Sequence, residues 1–160
     1  MRILILFTFL ITNTLANELP DLKNLVVHKI PKTYDNIIFL DDENKEINIQ
    51  SLESQLSVLN FWATWCEPCK EEMPSLNRLQ VNKKLQNLKI YPINISKERL
   101  TKVNSFFAEL GIDNLEPYFD NPSTLAKTFS LRGIPTTILL NSKGEEFARI
   151  IGSINFDDEN

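Results

Sequence analysis

The chain's only two cysteines, Cys66 and Cys69, have two residues between them in the stretch Leu59 to Leu79, LNFWATWCEPCKEEMPSLNRL. Two thiols at that spacing can exchange with a disulfide: a thiolate attacks one sulfur of the partner's bond, and the second thiol resolves the mixed disulfide from behind. Val58, Leu59, Phe61 and Trp62 form an apolar run suited to a buried strand, and from Pro68 onward Met73, Leu76 and Leu79 fall on one face at helical spacing. The cysteines are thereby placed at a helix N-terminus. There the unpaired backbone N–H groups and the positive end of the helix dipole favour a thiolate, so Cys66 is expected to ionise below the ordinary thiol range. Cys66, at the helix start, reads as the attacking thiol and Cys69, one turn inside, as the resolving one. Pro68 gives up an N–H where the first turn has spare donors anyway. Glu67 sets a carboxylate between the thiols; its charge opposes thiolate formation, while its place near the helix start is itself favourable.

Other chemistries use the same pair. A purely structural disulfide would close a tiny loop and constrain the unfolded chain little. A zinc site would need two more soft ligands, and the chain offers one histidine, His28, and no third cysteine. His28 stands alone in a polar lead-in and reads as an ordinary surface residue without a role. A Cu(I) carrier could use both sulfurs at this spacing, with no third ligand evident near the motif. A peroxidase of peroxiredoxin type would need a single peroxidatic cysteine in its own Pro/Thr-rich loop, which is not found. Copper retained stoichiometrically through gel filtration would favour the carrier, and turnover in a thiol assay the enzyme.

FWATWCEPCKEEMP resembles the active-site segment of thioredoxin-fold proteins, in particular the TlpA/ResA-type periplasmic thiol-disulfide oxidoreductases, and the resemblance runs from about Phe39 to Gly152. It implies an α/β, thioredoxin-like fold: a mixed central sheet with flanking helices, an N-terminal β-hairpin, and a central βα insertion at roughly Glu98 to Phe119. It implies catalysis by Cys66 and Cys69 and substrate contacts through Trp65, Glu67, Pro68, Ile134 and Pro135. Ile134-Pro135 resembles the loop that faces the two cysteines, where a cis proline leaves the backbone of the preceding residue free to pair with a substrate strand. No cofactor and no metal are implied. The implied partners are protein disulfides, in apocytochrome c or in copper-site assembly proteins of the respiratory oxidase, and a membrane thiol donor that keeps the pair reduced. Spacing does not give the direction, since the same CxxC serves potentials from about -270 mV to about -120 mV; an oxidase of folding proteins is the alternative.

Two departures from the pattern matter. Thioredoxin carries a buried aspartate six residues before the first cysteine, and here Asn60 stands in that place. Glu72, three residues after Cys69 on the same helical face, is the candidate base, and the ResA-type pattern resembles this in placing a glutamate there. Glu71 fits the plainer reading of a solvated first-turn charge. At the other end, only Ser153-Ile154-Asn155-Phe156 and an acidic tail follow the last apolar run. The helix that usually ends this fold is missing, or the chain is truncated.

The elements that must position these residues follow from periodicity. Ile37 to Leu40 and Ile47 to Ile49 read as two strands around the polar turn 41–46, with one helical turn from Ser51 to Leu56. Pro74 is expected to kink the helix after the cysteines by removing the bond to the carbonyl of Lys70. Leu88 to Ile95 reads as a strand in which Pro92 signals an irregularity or an edge-like position. Glu98 to Leu110 is an amphipathic helix stopped by Gly111, with Val103, Phe106, Phe107 and Leu110 on one face. Asn114 to Asp120 reads as a short strand, Ser123 to Phe129 as a short helix with Ser123 as N-cap, and Leu131 to Gly152 as an antiparallel hairpin turning at Asn141-Ser142-Lys143-Gly144.

At 160 residues, with 42% hydrophobic and 24% charged, the chain has the material for one globular core. A net charge of -4 and a pI near 5.1 leave no basic footprint for nucleic acid. Arg2, the apolar run Ile3 to Ile11 and the small residues of Thr14-Leu15-Ala16 read as a signal peptide over 1–16 that exports the protein to the periplasm. A membrane anchor is the lesser alternative, because a span needs about 20 apolar residues and Thr12, Asn13 and Thr14 interrupt the run. A lead-in over 17–31 and a thioredoxin-like domain over 32–160 complete the division. N-terminal sequencing of the exported form should find the mature chain starting near Asn17; intact Met1 in the membrane fraction would make the segment an anchor.

Overall fold

The apolar run before the cysteines becomes β4 (Leu56–Trp62), which lies inside an eight-stranded sheet among the described residues. The computed structural model describes residues 24–51, 56–120 and 124–157, so the expected signal segment and the helix cap at Ser123 lie outside the described residues. The other strands are β1 (Leu25–Lys32), β2 (Ile38–Leu40), β3 (Glu46–Asn48), β5 (Leu88–Asn94), β6 (Tyr118–Phe119), β7 (Thr136–Asn141) and β8 (Glu146–Ile151). Their order is β1-β8-β7-β4-β5-β6-β2-β3; β4 runs parallel to β5 and antiparallel to β7. Three helices are described: α1 (Glu67–Gln80), α2 (Leu100–Leu110) and α3 (Thr124–Thr128). None of the described helices is long and apolar enough to cross a membrane.

Both faces of β4 are buried, and its period of two divides the core. Val58 and Trp62 join Met73 and Leu76 of α1 and Val103, Phe106 and Phe107 of α2 in one cluster. Leu59 and Phe61 join Ile37 and Phe39, Tyr91 and Ile93 of β5, and Leu125 and Phe129 in the other. Trp62 packs its ring 5.0 Å from that of Phe106 and 5.4 Å from that of Phe107, centroid to centroid, so the insertion holding α2 and β6 closes over the strand that carries the cysteines. This is a thioredoxin-like α/β fold with the N-terminal hairpin (β2, β3) and central βα insertion that the motif implies.

Several expectations change. The lead-in contributes β1, an edge strand antiparallel to β8, so residues 25–31 belong to the sheet. His28 is not a free surface residue: its Nε2 lies 2.6 Å from Oε1 of the buried Glu146. Taken alone the segment's alternation reads as a linker, because its pairing partner is more than a hundred residues away in sequence. Pro92 sits in an interior strand that pairs regularly with β4. Ile95 N donates to Trp62 O (3.0 Å), so by alternation Pro92 presents its nitrogen to the other side, where Ile90 N meets Gln80 Oε1 (2.8 Å) and β6 pairs only from Ile93 onward. No ladder bond is lost at Pro92, and the edge-like character holds on that one side.

α2 starts two residues later than expected, with Arg99 as N-cap, and ends as expected at Gly111 in the left-handed conformation (φ 65°). β6 is shorter than the expected 114–120 strand. α3 is capped by Asp120, whose carboxylate accepts from Leu125 N and Ala126 N, each at 2.9 Å. Pro74 lies within a continuous α1, and a 3-10 turn at Ile49–Ser51 stands just before the expected helical turn, most of which falls in 52–55, outside the described residues. After β8 the chain runs without helix through 152–157 along α1: Ile154 N donates to Glu72, Phe156 N to Ser75 Oγ (3.1 Å), and Arg78 pairs with Asp157 (2.5 Å).

Glu146 is wholly buried and accepts from Tyr34 Oη (2.5 Å) and from Arg149 Nε (2.6 Å) and Nη2 (2.8 Å), with His28 as the further partner. Burial alone would raise its pKa, but the bonds from Arg149, Tyr34 and His28 together outweigh it and lower the value from 4.5 to about 2. A depressed carboxylate adds stability that is present in full above the unfolded value and lost as pH falls through the folded one. Urea midpoints should therefore decline between about pH 4.5 and pH 2. Glu146→Gln should cost about 3 kcal/mol at pH 7 and show a shallower acid decline; parallel acid declines in the two proteins would locate the sensitive group elsewhere.

Candidate active site

Cys66 ends β4's outgoing loop and is the N-cap of α1, in extended conformation (φ -90°, ψ 103°), with its sulfur accepting from Cys69 N at 3.3 Å. The helix begins there because Cys66 supplies the cap acceptor and Pro68, within the first turn, needs no acceptor for an N–H. The two cysteines form a disulfide with Cα atoms 5.3 Å apart. Cys66 keeps 5% of its surface exposed and Cys69 none, so a partner in solution reaches Cys66 first. On reduction, the amide that now meets Cys66 Sγ and the open end of the helix dipole both favour a thiolate at that sulfur.

Around the pair, Trp65 is 68% exposed and donates from Nε1 to Ser96 Oγ (3.1 Å), and Glu67 and Pro68 are exposed on the first turn. Ile134 packs against the apolar cluster that contains both cysteines, and its bond to the buried Pro135 is cis. Pro135 O accepts from Gly152 N (2.9 Å), which ties this loop to the end of β8. Ile134 thus shares an apolar cluster with both cysteines, and the Ile134-Pro135 bond is cis. No group of three His, Cys, Asp or Glu side chains among the described residues is arranged to hold a metal ion.

Behind the disulfide, α1 turns Cys69, Glu72 and Met73 inward and leaves Glu71 exposed. Glu72 is 2% exposed and its carboxylate has two donors, Asn60 Nδ2 at 2.6 Å and Ile154 N at 3.1 Å. Asn60 reaches it because the period of β4 points this side chain to the α1 face; across the ladder its Nδ2 also donates to Thr137 Oγ1 (3.0 Å). Among the described residues no cation partners Glu72. Burial pushes its pKa up, the bonds from Ile154 and Asn60 restrain the rise, and the value settles at about 7. Asn60 and Glu72 thus set a buried carboxyl on the inner face of the cysteine helix, one turn after Cys69.

Periodicity places Glu98 at the start of α2, whereas in the structure it precedes the Arg99 cap and meets the loop that leads to Cys66. Its carboxylate accepts from Thr64 N (3.3 Å), from Thr64 Oγ1 at close range, from Asn94 Nδ2 (2.9 Å) and from Lys102 Nζ (2.5 Å). Burial would raise its pKa, but these donors outweigh it and bring it to about 2. Glu98 thereby clamps the loop from β4 to Cys66 onto the end of β5. The only sequence signal was the spacing of Glu98 and Lys102, four residues apart.

The Redoxin family matches residues 15–159. Thiol-disulfide oxidoreductase ResA of Bacillus subtilis (strain 168) is 29% identical over 119 residues, covering 74% of this chain and 65% of that protein. The Halalkalibacterium halodurans protein of the same name is 34% identical over 110 residues, 69% of this chain and 61% of its own. The chain thus spans somewhat less than two thirds of these relatives' length. Among solved structures, StoA from Bacillus subtilis superposes with a TM-score of 0.66 at 26% identity, over 79% of this chain and 95% of that one.

The raised pKa of Glu72 carries a stability signature of opposite sign to that of Glu146. Between 4.5 and about 7 the folded protein keeps a proton that the unfolded chain has lost, so stability falls as pH rises through this window and levels off above it. Glu72→Gln removes the titration. Relative to the unmodified protein, the variant should gain stability from pH 4.5 to pH 7 by at most about 1.4 kcal/mol per pH unit. A pH-independent difference between the two denaturation series would mean that Glu72 ionises like a surface carboxylate.

Proposed function

The chain belongs to the Redoxin family, and from that membership we propose that it works as a thiol-disulfide oxidoreductase of the TlpA/ResA type, reducing disulfides of protein substrates outside the cytoplasm. The observation that carries this reading is the redox pair at the start of α1, with a reachable Cys66 and a sealed Cys69, in an apolar cluster that also takes in Ile134, the residue joined to Pro135 by a cis bond. In the reduced protein the Cys66 thiolate attacks one substrate sulfur, forming a Cys66–substrate disulfide and expelling the other substrate sulfur as a thiolate. Cys69 then gives up its proton and attacks Cys66 Sγ. The second substrate thiolate leaves, two electrons have passed to the substrate, and the Cys66–Cys69 disulfide remains.

Glu72 takes the Cys69 proton in this scheme: it lies one turn along α1, is buried, and titrates near neutrality, which suits a general base. Trp65, Glu67 and Pro68 form the exposed rim against which a substrate lies, and the backbone of Ile134 pairs with an extended substrate segment. The finer assignment is to the periplasm, with export by residues 1–16, a membrane thiol donor that restores the dithiol, and apocytochrome c or copper-site assembly proteins of the respiratory oxidase as substrates. The signal-like composition of 1–16 supports export.

Cys69→Ser should accumulate mixed disulfides with substrate, and Glu72→Gln should slow turnover about 10²-fold and flatten the pH–rate limb near 7, while Glu71→Gln keeps the profile of the unmodified protein. Trapping by Cys66→Ser instead would reverse the roles, and identical profiles for both glutamate variants would remove Glu72 as base. A reduction potential for the pair near about -270 mV fits a reductant; one near about -120 mV would make the protein an oxidase of folding substrates.

A further inference from the structure

Between β1, β8 and the segment leading from α3 to Pro135 lies a cavity of about 320 Å³ that plays no part in the chemistry above. Its wall carries the cations Lys32, Arg132 and Arg149, together with the His28 ring and apolar surface from Val26 and Phe129, and among the described residues no carboxylate lines it. In a protein of net charge -4 this is a marked local excess of positive charge. The cavity is also built rather than incidental. The buried Glu146 lies behind it and holds Arg149 by Nε and Nη2, Tyr34 by its hydroxyl and His28 by Nε2, and Arg149 Nη1 donates to Phe129 O (3.1 Å). One buried anion thus fixes a cationic wall. Glu146 offsets one of the charges; the Lys32 ammonium and the Arg132 guanidinium have no acidic partner among the described residues.

The position of the cavity gives this charge a use. Arg132 stands two residues before Ile134, and Thr136, which also lines the cavity, directly follows Pro135. The rim of the cavity and the Ile134-Pro135 loop are therefore one stretch of chain. An extended polypeptide advances about 3.3 Å per residue, so a segment paired with the backbone of Ile134 can deliver a neighbouring side chain to the cavity within a few residues. Arg132 offers a guanidinium fork suited to carboxylate oxygens, Lys32 a second charge, and the apolar surface accommodates the methylene stem.

We propose that this cavity is a specificity subsite that receives a carboxylate side chain, Asp or Glu, of the protein substrate, a few residues from the sulfur that Cys66 attacks. The proposal rests on the oxidoreductase reading and adds a preference for acidic sequence context around the target disulfide. It involves no covalent step; the contact is a charge-assisted hydrogen bond that forms on binding.

The test uses disulfide-containing peptides in which one Glu is moved through each position within four residues of the target cysteine, each compared with the same peptide carrying Gln. The unmodified full chain should prefer Glu over Gln at one or two adjacent positions by about tenfold in kcat/KM, the size expected of one charge-assisted contact. The gain should sit in KM and shrink as ionic strength rises. Lys32→Ala with Arg132→Ala should bring the ratio close to one, and Arg132→Glu should favour a Lys peptide at the same position. Equal turnover of Glu and Gln peptides at every position, or a preference that survives the double substitution, would overturn the subsite while leaving the oxidoreductase reading intact. No turnover of any peptide by the folded, reduced protein would overturn the oxidoreductase reading, and the subsite with it.

Discussion

The site depends on β4 having no wet face. Leu59, Phe61 and Trp62 are fully buried, one cluster on each side of the sheet, so the strand has one register and one direction. A strand held that tightly delivers the next residues to a fixed point at its carboxyl end, and there the chain must turn before α1 can begin. Thr64 is anchored by Glu98 and Cys66 caps the helix, which leaves the loop between them little freedom. Reactivity at Cys66 is thus a consequence of core packing several residues upstream, because the core decides where the helix dipole and its free amides come to rest.

Three buried or half-buried carboxylates in the same small protein end in different ionisation states, and the difference is a matter of company. Glu98 and Glu146 each accept from cationic side chains as well as neutral donors, and both titrate near 2. Glu72 accepts from an amide side chain and a backbone N–H alone, and titrates near 7. Desolvation acts on all three in the same direction; what separates them is whether a Lys or Arg is at hand to repay it. Asn60 is central here. It keeps a hydrogen bond to the carboxylate without contributing a charge, so the bond restrains the rise in Glu72's pKa without cancelling it.

Much of this was legible in the sequence where the signal is local. The cysteine helix, β4, the hairpin of β7 and β8 and the stop at Gly111 follow from period, cap and turn chemistry within a dozen residues, and the face of α1 that buries Glu72 follows from its spacing to Cys69. What stayed hidden is held by partners far away in sequence. β1 is a strand because β8 pairs with it, and His28 is half-buried because it meets the carboxylate of Glu146. Glu98 looks like the opening residue of an amphipathic helix until Thr64, 34 residues earlier, claims its carboxylate. Asp120 caps α3 from five residues upstream, a reach longer than the usual cap spacing. Pro92 reads as a defect in a strand until the direction of its missing N–H is known.

The short stretch 152–157 deserves reading as a strap. It supplies one of the two donors to Glu72 through Ile154 N, rests on Ser75 through Phe156 N, and is pinned by Arg78 at Asp157. Affinity handles and reporter fusions attached behind Asp157 would tug on this strap and reach the interior carboxyl directly, whereas the same handle placed in the exposed turn between β2 and β3 hangs from a hairpin at the far edge of the sheet from β1. The choice of attachment point is therefore part of the chemistry when the protein is labelled, immobilised or displayed.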